Sequence, residues 1–168
     1  VLRIGWTERC ESAIKDASPD RLMQVGNDTR DSMDLLVEHL SSAPVSRAVR
    51  HRAYSLVQQL MQSYEACTRL AQVFLEQPHR QDLSIDQFEW QVQSRTYLVY
   101  SGHAGDLGSA REKSGWSCSV QIGRANFAYG NEFVAGANQQ RMVSTPLTDR
   151  CQLSLAQAVY RYVGGSVV

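Results

Sequence analysis

The sequence predicts an α+β fold, with helices in the first part of the chain and a small β-sheet with one helix in the last part. In residues 44–77, apolar side chains recur at steps of three or four, which is the period of an amphipathic helix. In residues 116–122 they alternate with polar side chains, which is typical of a half-buried strand. No internal repeat is visible, and 168 residues suffice for one ordinary core or two small ones.

Residues 1–42 are expected to form a short strand and then helices. The apolar residues at positions 1, 2 and 4 predict the strand, and Thr7 is placed to cap the helix that follows it. Ser18-Pro19-Asp20 interrupts this pattern. Residues 21–42 then have helical periodicity, and Gly26-Asn27-Asp28 is expected to divide this helix into two pieces.

The longest predicted element is a helix over residues 44–77, with Pro44 in its first turn and Pro78 at its end. One stripe along it consists of Val45, Val49, Ala53, Leu56, Leu60, Tyr64, Cys67, Ala71 and Phe74. Such a stripe predicts a helical bundle or a rod-like element. A coiled-coil dimer is the alternative, but alanine and cysteine mixed with a bulky tyrosine fit packing against several neighbours better than a two-stranded seam.

A further helix is expected to begin at Ser84, because Gln87 follows three residues later and completes a capping box. Its apolar surface would comprise Phe88, Trp90, Val92, Tyr97 and Leu98. Residues 101–109 are a loop by composition. Two strands are predicted after it, one with Trp116, Cys118, Val120 and Ile122 on one face, and one that includes Ala125, Phe127 and Tyr129.

The last element is expected to be a helix introduced by Thr145-Pro146. Proline disfavours helical backbone in the residue before it, so Thr145 is expected to be extended, after a short extended run over residues 141–144. The helix is predicted to start at Thr148 or Asp149 and to stop at Gly164-Gly165, in the manner of a C-terminal glycine cap. One of its faces would present Cys151, Leu155, Ala158 or Val159, and Tyr162.

Composition limits the partners that the chain can have. Basic and acidic side chains balance at 17 each, so the net field gives no reason to expect nucleic acid or anionic lipid as a partner. No apolar run approaches the roughly 20 residues that span a bilayer. The four cysteines are widely spaced, which predicts buried thiols in a reducing compartment and no metal site.

The chain carries no recognisable catalytic motif. An ATP-binding P-loop needs lysine directly after glycine, because the backbone N–H groups of the loop surround the phosphates while lysine neutralises them. The two lysines, Lys15 and Lys113, follow Ile14 and Glu112 instead. The Gly-x-Ser-x-Gly pattern of serine hydrolases is also absent, and we predict no catalytic residue in this chain.

Four motifs give the chain a family resemblance. Residues 142–151 read M-V-S-T-P-L-T-D-R-C, and with Gly164-Gly165 they resemble the start of the first AAA+ module of dynein heavy chains, I-T-P-L-T-D-R-C, a helix, then G-G before the ATP-binding loop. Residues 126–132 resemble the family's N-A-x-F-x-Y-G-Y-E-Y, and residues 86–95 are similar to D-F-E-W-x-x-Q-L-R. Residues 4–8 are similar to I-x-W-T-x-E. The motifs come in the family's order and cover nearly the whole chain.

The resemblance implies a division of the chain into two parts. Residues 1–109 would be the C-terminal, helical part of the dynein linker, and residues 110–168 would begin the first AAA+ module and stop before its Walker A loop. In the family, the segment that corresponds to Thr145, Pro146, Leu147 and Thr148 lies beside the nucleotide base. The chain would therefore form part of a site for a nucleotide base without being catalytic by itself. ATP and Mg²⁺ are expected in the parent protein, if its first AAA+ module is intact, and no cofactor is expected in this chain.

The resemblance also implies partners and a location. The partners would be the remainder of the AAA+ ring, microtubules and other dynein subunits, in the cytoplasm and cytoskeleton and in the axoneme of a cilium or flagellum. Some motifs depart from the family, since Ser144 replaces an aliphatic residue and Gly164-Gly165-Ser166-Val167 replaces G-G-A-P. These departures predict a divergent member, such as a dynein heavy chain domain-containing protein. The alternative function is a stand-alone helical scaffold or adaptor that binds a partner through its long helix.

Overall fold

The structure, a computed structural model, describes residues 2–42, 44–76, 85–101, 115–129 and 145–165. In these residues the elements are α1 (Leu2–Lys15), α2 (Pro19–Ser42), α3 (Arg47–Glu76), α4 (Phe88–Gln91), β1 (Arg95–Ser101), β2 (Gly115–Ile122), β3 (Ala125–Tyr129) and α5 (Pro146–Tyr160). The predicted α+β class is confirmed. The predictions for Pro78, Ser84, the loop after Ser101 and residues 141–144 lie outside the described residues.

The chain forms two compact units. One comprises Glu8–Trp90 and Ala135–Val143, and its described part is helical. The other comprises Val1–Thr7, Gln91–Val134 and Ser144–Val168, and it contains the sheet and α5.

The first unit is built on α2 and α3, which pack against each other. The predicted stripe of α3 is confirmed in part: Ala53, Cys67 and Ala71 are buried, but Val49 is exposed, and the buried Ala66 and Leu70 were not placed in it. The predicted start of this helix was wrong. Pro44 precedes the helix, and Ser46 caps it by accepting a hydrogen bond from the N–H of Val49 at 3.4 Å.

Helix α2 is continuous through Gly26, so the predicted break at Gly26-Asn27-Asp28 was wrong. Gly26 is buried, and a Cβ atom on it would lie 3.2 Å from Cys67 Cβ and 3.7 Å from the Tyr64 ring. The glycine is therefore explained by the close approach of α3 and not by a turn.

The predicted N-terminal strand is absent, because α1 begins at Leu2. Its buried apolar residues are spaced as on one helix face: Trp6, Cys10, Ala13 and Ile14. Thr7 is not an N-cap. It lies inside the helix, where its hydroxyl donates to the Arg3 carbonyl at 2.8 Å and accepts from the N–H of Thr96 at 3.1 Å.

The helix predicted around Phe88 is only one turn long, and β1 follows it. Tyr97 and Leu98, which were predicted to lie on that helix, belong to the strand. The run Thr96-Tyr97-Leu98-Val99-Tyr100 is rich in β-branched and aromatic side chains, which favour a strand. Trp90 is fully buried, whereas Phe88 is exposed.

The three strands form an antiparallel sheet in the order β1-β2-β3. Both strands predicted at residues 116–122 and 125–129 are confirmed. Gly123, with φ of 58°, makes the turn between them. The positive φ is the main reason for glycine at position 123. A Cβ atom there would also lie 2.6 Å from Leu153 Cδ1, the end of a flexible side chain that would have to move.

Helix α5 packs on β2 and β3 and begins at Pro146, two residues before the predicted start. Thr145 has the predicted extended backbone, with φ of −126° and ψ of 159°. The predicted apolar face is confirmed in part: Cys151, Leu155 and Ala158 are half-buried. It missed Leu153, which contacts the Gly123 turn, and Tyr160, whose ring centroid lies 6.2 Å from that of Phe127. Tyr162 lies beyond the helix and is 98% exposed.

The end of α5 was also predicted wrongly, since Gly164-Gly165 does not cap it. The helix ends at Tyr160, and Tyr162 takes the left-handed backbone conformation with φ of 56°. The N–H of Val163 bonds the Ala158 carbonyl and the N–H of Tyr162 bonds the Val159 carbonyl. This is a Schellman motif with tyrosine at the position that usually holds glycine.

We predict that Tyr162→Gly raises the free energy of unfolding by up to about 1 kcal/mol, because glycine adopts the left-handed conformation without the steric cost that a Cβ atom brings. Urea unfolding followed by circular dichroism measures this change. Tyr162→Ala is the matched control, because it removes the exposed ring and keeps the Cβ atom, and it should change little. Equal stabilisation by both variants would contradict the explanation.

No helix among the described residues is long and apolar enough to cross a membrane. Of the four predicted buried thiols, Cys10 and Cys67 are buried, and Cys118 and Cys151 are half-buried.

Candidate functional site

The four predicted site residues form the first turn of α5 and the residue before it. Thr145 is the N-cap, and its Oγ1 accepts a hydrogen bond from the N–H of Thr148 at 3.2 Å. In return, Thr148 Oγ1 accepts from the N–H of Thr145 at 2.8 Å. The two threonines thus form a reciprocal capping box in which threonine takes the place of the usual glutamate or glutamine.

The two hydroxyl groups are occupied within this turn. Thr148 Oγ1 also donates to the Thr145 carbonyl at 3.0 Å, and the two Oγ1 atoms are 3.1 Å apart. Both side chains therefore hold the backbone of the turn in place. Their part in binding a ligand would be to fix the position of their neighbours.

The neighbours Pro146 and Leu147 provide the accessible surface of the turn. Both are exposed, and Leu147 is 72% exposed although it is a large apolar side chain. Proline at the first helical position is stiff, so this apolar surface is preformed. It can cover the face of a planar apolar ring.

The same turn is poorly suited to phosphate. Asp149 is buried directly behind it, and its N–H is bonded to the Thr145 carbonyl at 2.9 Å. A carboxylate in the first turns of a helix is stabilised by the helix dipole but repels a phosphate group. Among the described residues, no group of three or more His, Cys, Asp or Glu side chains is arranged to hold a metal ion.

A buried arginine lies next to the turn on which α5 rests. Arg95, at 2% exposure, donates to the Gly123 carbonyl at 2.6 Å and to Gln91 Oε1 at 3.1 Å. The N–H of Gly123 donates to the Gln91 carbonyl at 2.7 Å. We call Gln91, Arg95 and Gly123 the Arg95 cluster, and it fixes the β2–β3 turn that contacts Leu153 of α5.

The sequence did not identify the Arg95 cluster as part of the site. In the sequence, Arg95 is the last residue of the motif at positions 86–95, and Gly123 is a single glycine between two predicted strands. A stacking surface for single-stranded nucleic acid at Arg95, Tyr97 and Tyr100 is disfavoured by the balanced charge. One signal could have located the Gly123 turn. A glycine between two segments of alternating apolar and polar residues marks a turn that needs a positive φ.

Known proteins with similar sequences identify the family of this chain. No family model matches the chain. The Homo sapiens protein dynein axonemal heavy chain 8 is 30% identical to it over 168 residues, which cover 98% of this chain and 3% of that protein. The chain belongs to the dynein heavy chain family.

Further relatives agree with this assignment. A cytoplasmic dynein heavy chain of Paramecium tetraurelia is 26% identical over 167 residues, covering 99% of this chain and 3% of that protein. Cytoplasmic dynein 2 heavy chain 1 of Tripneustes gratilla is 27% identical over 174 residues, covering 98% of this chain and 3% of that protein. The chain thus spans about 3% of the length of these relatives. Similarity along nearly the whole chain does not favour the stand-alone scaffold.

Proposed function

We propose that this chain is the C-terminal part of a dynein linker, residues 1–109, joined to the beginning of the first AAA+ module, residues 110–168, of a microtubule motor heavy chain. The observation that carries the proposal is the ordered set of motifs within a chain that aligns over 98% of its length with dynein heavy chains. Strand β1 precedes the proposed junction in the sequence, and it pairs with β2, which follows the junction. The linker part and the module part would therefore share one sheet.

In this proposal, Thr145, Pro146, Leu147 and Thr148 form one wall of the pocket for the nucleotide base. The exposed surface of Pro146 and Leu147 would cover the base, and the two threonines would hold that surface in position. The phosphates and Mg²⁺ of ATP would be held by residues of the parent protein outside these 168. The chain would then contribute to binding the nucleotide and not to its hydrolysis.

The proposal extends to partners and location. The parent heavy chain would act with the remainder of its AAA+ ring, microtubules and other dynein subunits, in the cytoplasm and cytoskeleton and in the axoneme of a cilium or flagellum. Its support is that the relatives' names include both axonemal and cytoplasmic dynein heavy chains.

The base wall is tested by Leu147→Asp in a heavy chain that contains this segment. We expect about tenfold weaker binding of a fluorescent ATP analogue, because a carboxylate would replace the apolar contact that the bound base buries, worth about 1.5 kcal/mol or more. Titration of the analogue, followed by its fluorescence, measures the dissociation constant.

Val159→Asp is the matched control, because it places the same charge at another exposed apolar position of the same helix. It should leave nucleotide affinity unchanged. Equal affinities of the Leu147→Asp variant and the unchanged protein would remove residues 145–148 from the site.

A further inference from the structure

One face of the sheet is apolar in the region where α5 does not rest on it. The register pairs Tyr100 with Trp116, Leu98 with Cys118, and Cys118 with Tyr129. Paired residues project to the same side of a sheet, and residues two apart along a strand do so too. Together these five residues, Leu98, Tyr100, Trp116, Cys118 and Tyr129, are called the aromatic face.

The aromatic face continues a surface that is covered at its other end. Phe127, two residues from Tyr129, contacts the Tyr160 ring, and Leu153 of α5 packs at the Gly123 turn. The opposite side of the sheet carries polar side chains at Ser117, Ser119, Gln121 and Asn126. It also carries Arg95, which is 2% exposed, and the apolar Tyr97, Val99 and Ala128, so the side with α5 is the more uniformly apolar of the two.

The aromatic face itself is open to solvent. The exposed fraction is 69% for Trp116, 58% for Tyr100, 49% for Tyr129 and 48% for Leu98, and the rings of Tyr100 and Trp116 pack with centroids 5.1 Å apart. Because an aromatic side chain buries about 150–250 Å², these groups leave on the order of 300–400 Å² of apolar surface uncovered. Patches of this size on a monomer are often functional.

We propose that the aromatic face is covered, in the complete heavy chain, by the apolar side of an amphipathic helix that lies beside α5 and comes from a part of the same polypeptide outside these 168 residues. The inference rests on the proposal that the chain is a segment of a dynein heavy chain. A helix is the fitting occupant, because α5 already covers this side of the sheet and a second helix would extend the same layer.

Two observations favour the same polypeptide over a separate partner. The chain spans about 3% of the length of its relatives, so most of such a heavy chain lies outside it. None of the five side chains of the aromatic face is charged, so the face offers a free partner no electrostatic steering. A segment of the same chain needs none, because the covalent connection supplies a high effective concentration.

The test is hydroxyl-radical footprinting with mass spectrometry, which measures the oxidation rate of individual side chains in the heavy chain and in the 168-residue chain. We expect Trp116 to be oxidised about tenfold more slowly in the heavy chain, because a covered ring loses its contact with water. Trp90 is the internal control. It is fully buried, so it should be protected in both samples. Trp6 is buried in the unit that contains the sheet, so its protection in the short chain shows that this unit is folded there.

Equal oxidation of Trp116 in both samples would overturn the inference. Protection of Trp116 already in the short chain would also overturn it. Protection that does not depend on protein concentration would indicate that another segment of these 168 residues covers the face. Protection that rises with protein concentration would indicate a second copy of the chain. The proposed base wall fails separately. If Trp116 is protected only in the heavy chain and Leu147→Asp leaves nucleotide affinity unchanged, the covered face stands and the base wall does not.

Discussion

Arg95→Met is expected to lower the free energy of unfolding by about 3 kcal/mol. Arg95 is buried, and its guanidinium donates to the Gly123 carbonyl and to Gln91 Oε1. Each hydrogen bond from a charged donor contributes about 1.5–3 kcal/mol, and methionine of similar length leaves both acceptors without this donor. Removing a buried charge offsets part of this loss.

Arg124→Met is the matched control, because Arg124 lies in the same β2–β3 turn and is exposed. It should change stability by less than about 0.5 kcal/mol. Urea unfolding of both variants, followed by circular dichroism, makes the comparison. Similar losses in the two variants would show that the Arg95 cluster does not hold the turn.

Gly26→Leu is expected to cost about 2–3 kcal/mol, although leucine is a much better helix former than glycine. The Cβ atom alone would lie 3.2 Å from Cys67 Cβ on α3, and the rest of the leucine side chain would have to separate α2 from α3. Overpacking of a close-packed site costs about 1–3 kcal/mol, which outweighs the gain in helix propensity of somewhat less than 1 kcal/mol.

Asn27→Leu places the same side chain one position further along α2, where the surface is exposed. There the better helix propensity of leucine should leave stability unchanged or raise it slightly. Thermal unfolding of both variants measures the difference. If the two variants are equally stable, the close contact between α2 and α3 is not the reason for glycine at position 26.

Elements with a regular pattern could be predicted from the sequence. Helix α3 and strand β2 follow from the period of their apolar residues, since a local pattern decides which face is buried. Helix α1 was mistaken for a strand at its start because Val1, Leu2 and Ile4 are apolar and the segment is too short to show a helical period. Its helical pattern becomes visible only when Trp6 is taken together with Cys10 and Ile14.

Two predictions failed for different reasons, one because it depends on a residue far along the chain and one because of an unusual local conformation. Gly26 resembles a helix breaker until Cys67 of α3 is placed beside it, 41 positions later in the sequence. The end of α5 was placed at the glycines because a left-handed residue is usually glycine, whereas here Tyr162 takes that conformation.

The candidate site was predictable only where its features depend on residues close together in the sequence. The extended backbone of Thr145 follows from the proline after it, which is a local effect. The capping pair of Thr145 and Thr148 is also local, but the predicted helix start was too late for the pair to be recognised. The contact of Arg95 with Gly123 joins residues 28 positions apart, and no local pattern announces it.

The central claim is that residues 145–148 form the wall of a nucleotide pocket. Photo-crosslinking of a heavy chain containing this segment with an azido derivative of ATP on the base, followed by trypsin and mass spectrometry, tests it most directly. Cleavage after Arg141 and Arg150 gives one peptide that contains all four residues. We predict that this peptide carries the label and that excess ATP prevents the labelling. Labelling that ATP prevents elsewhere in the heavy chain, with none in this peptide, would contradict the account.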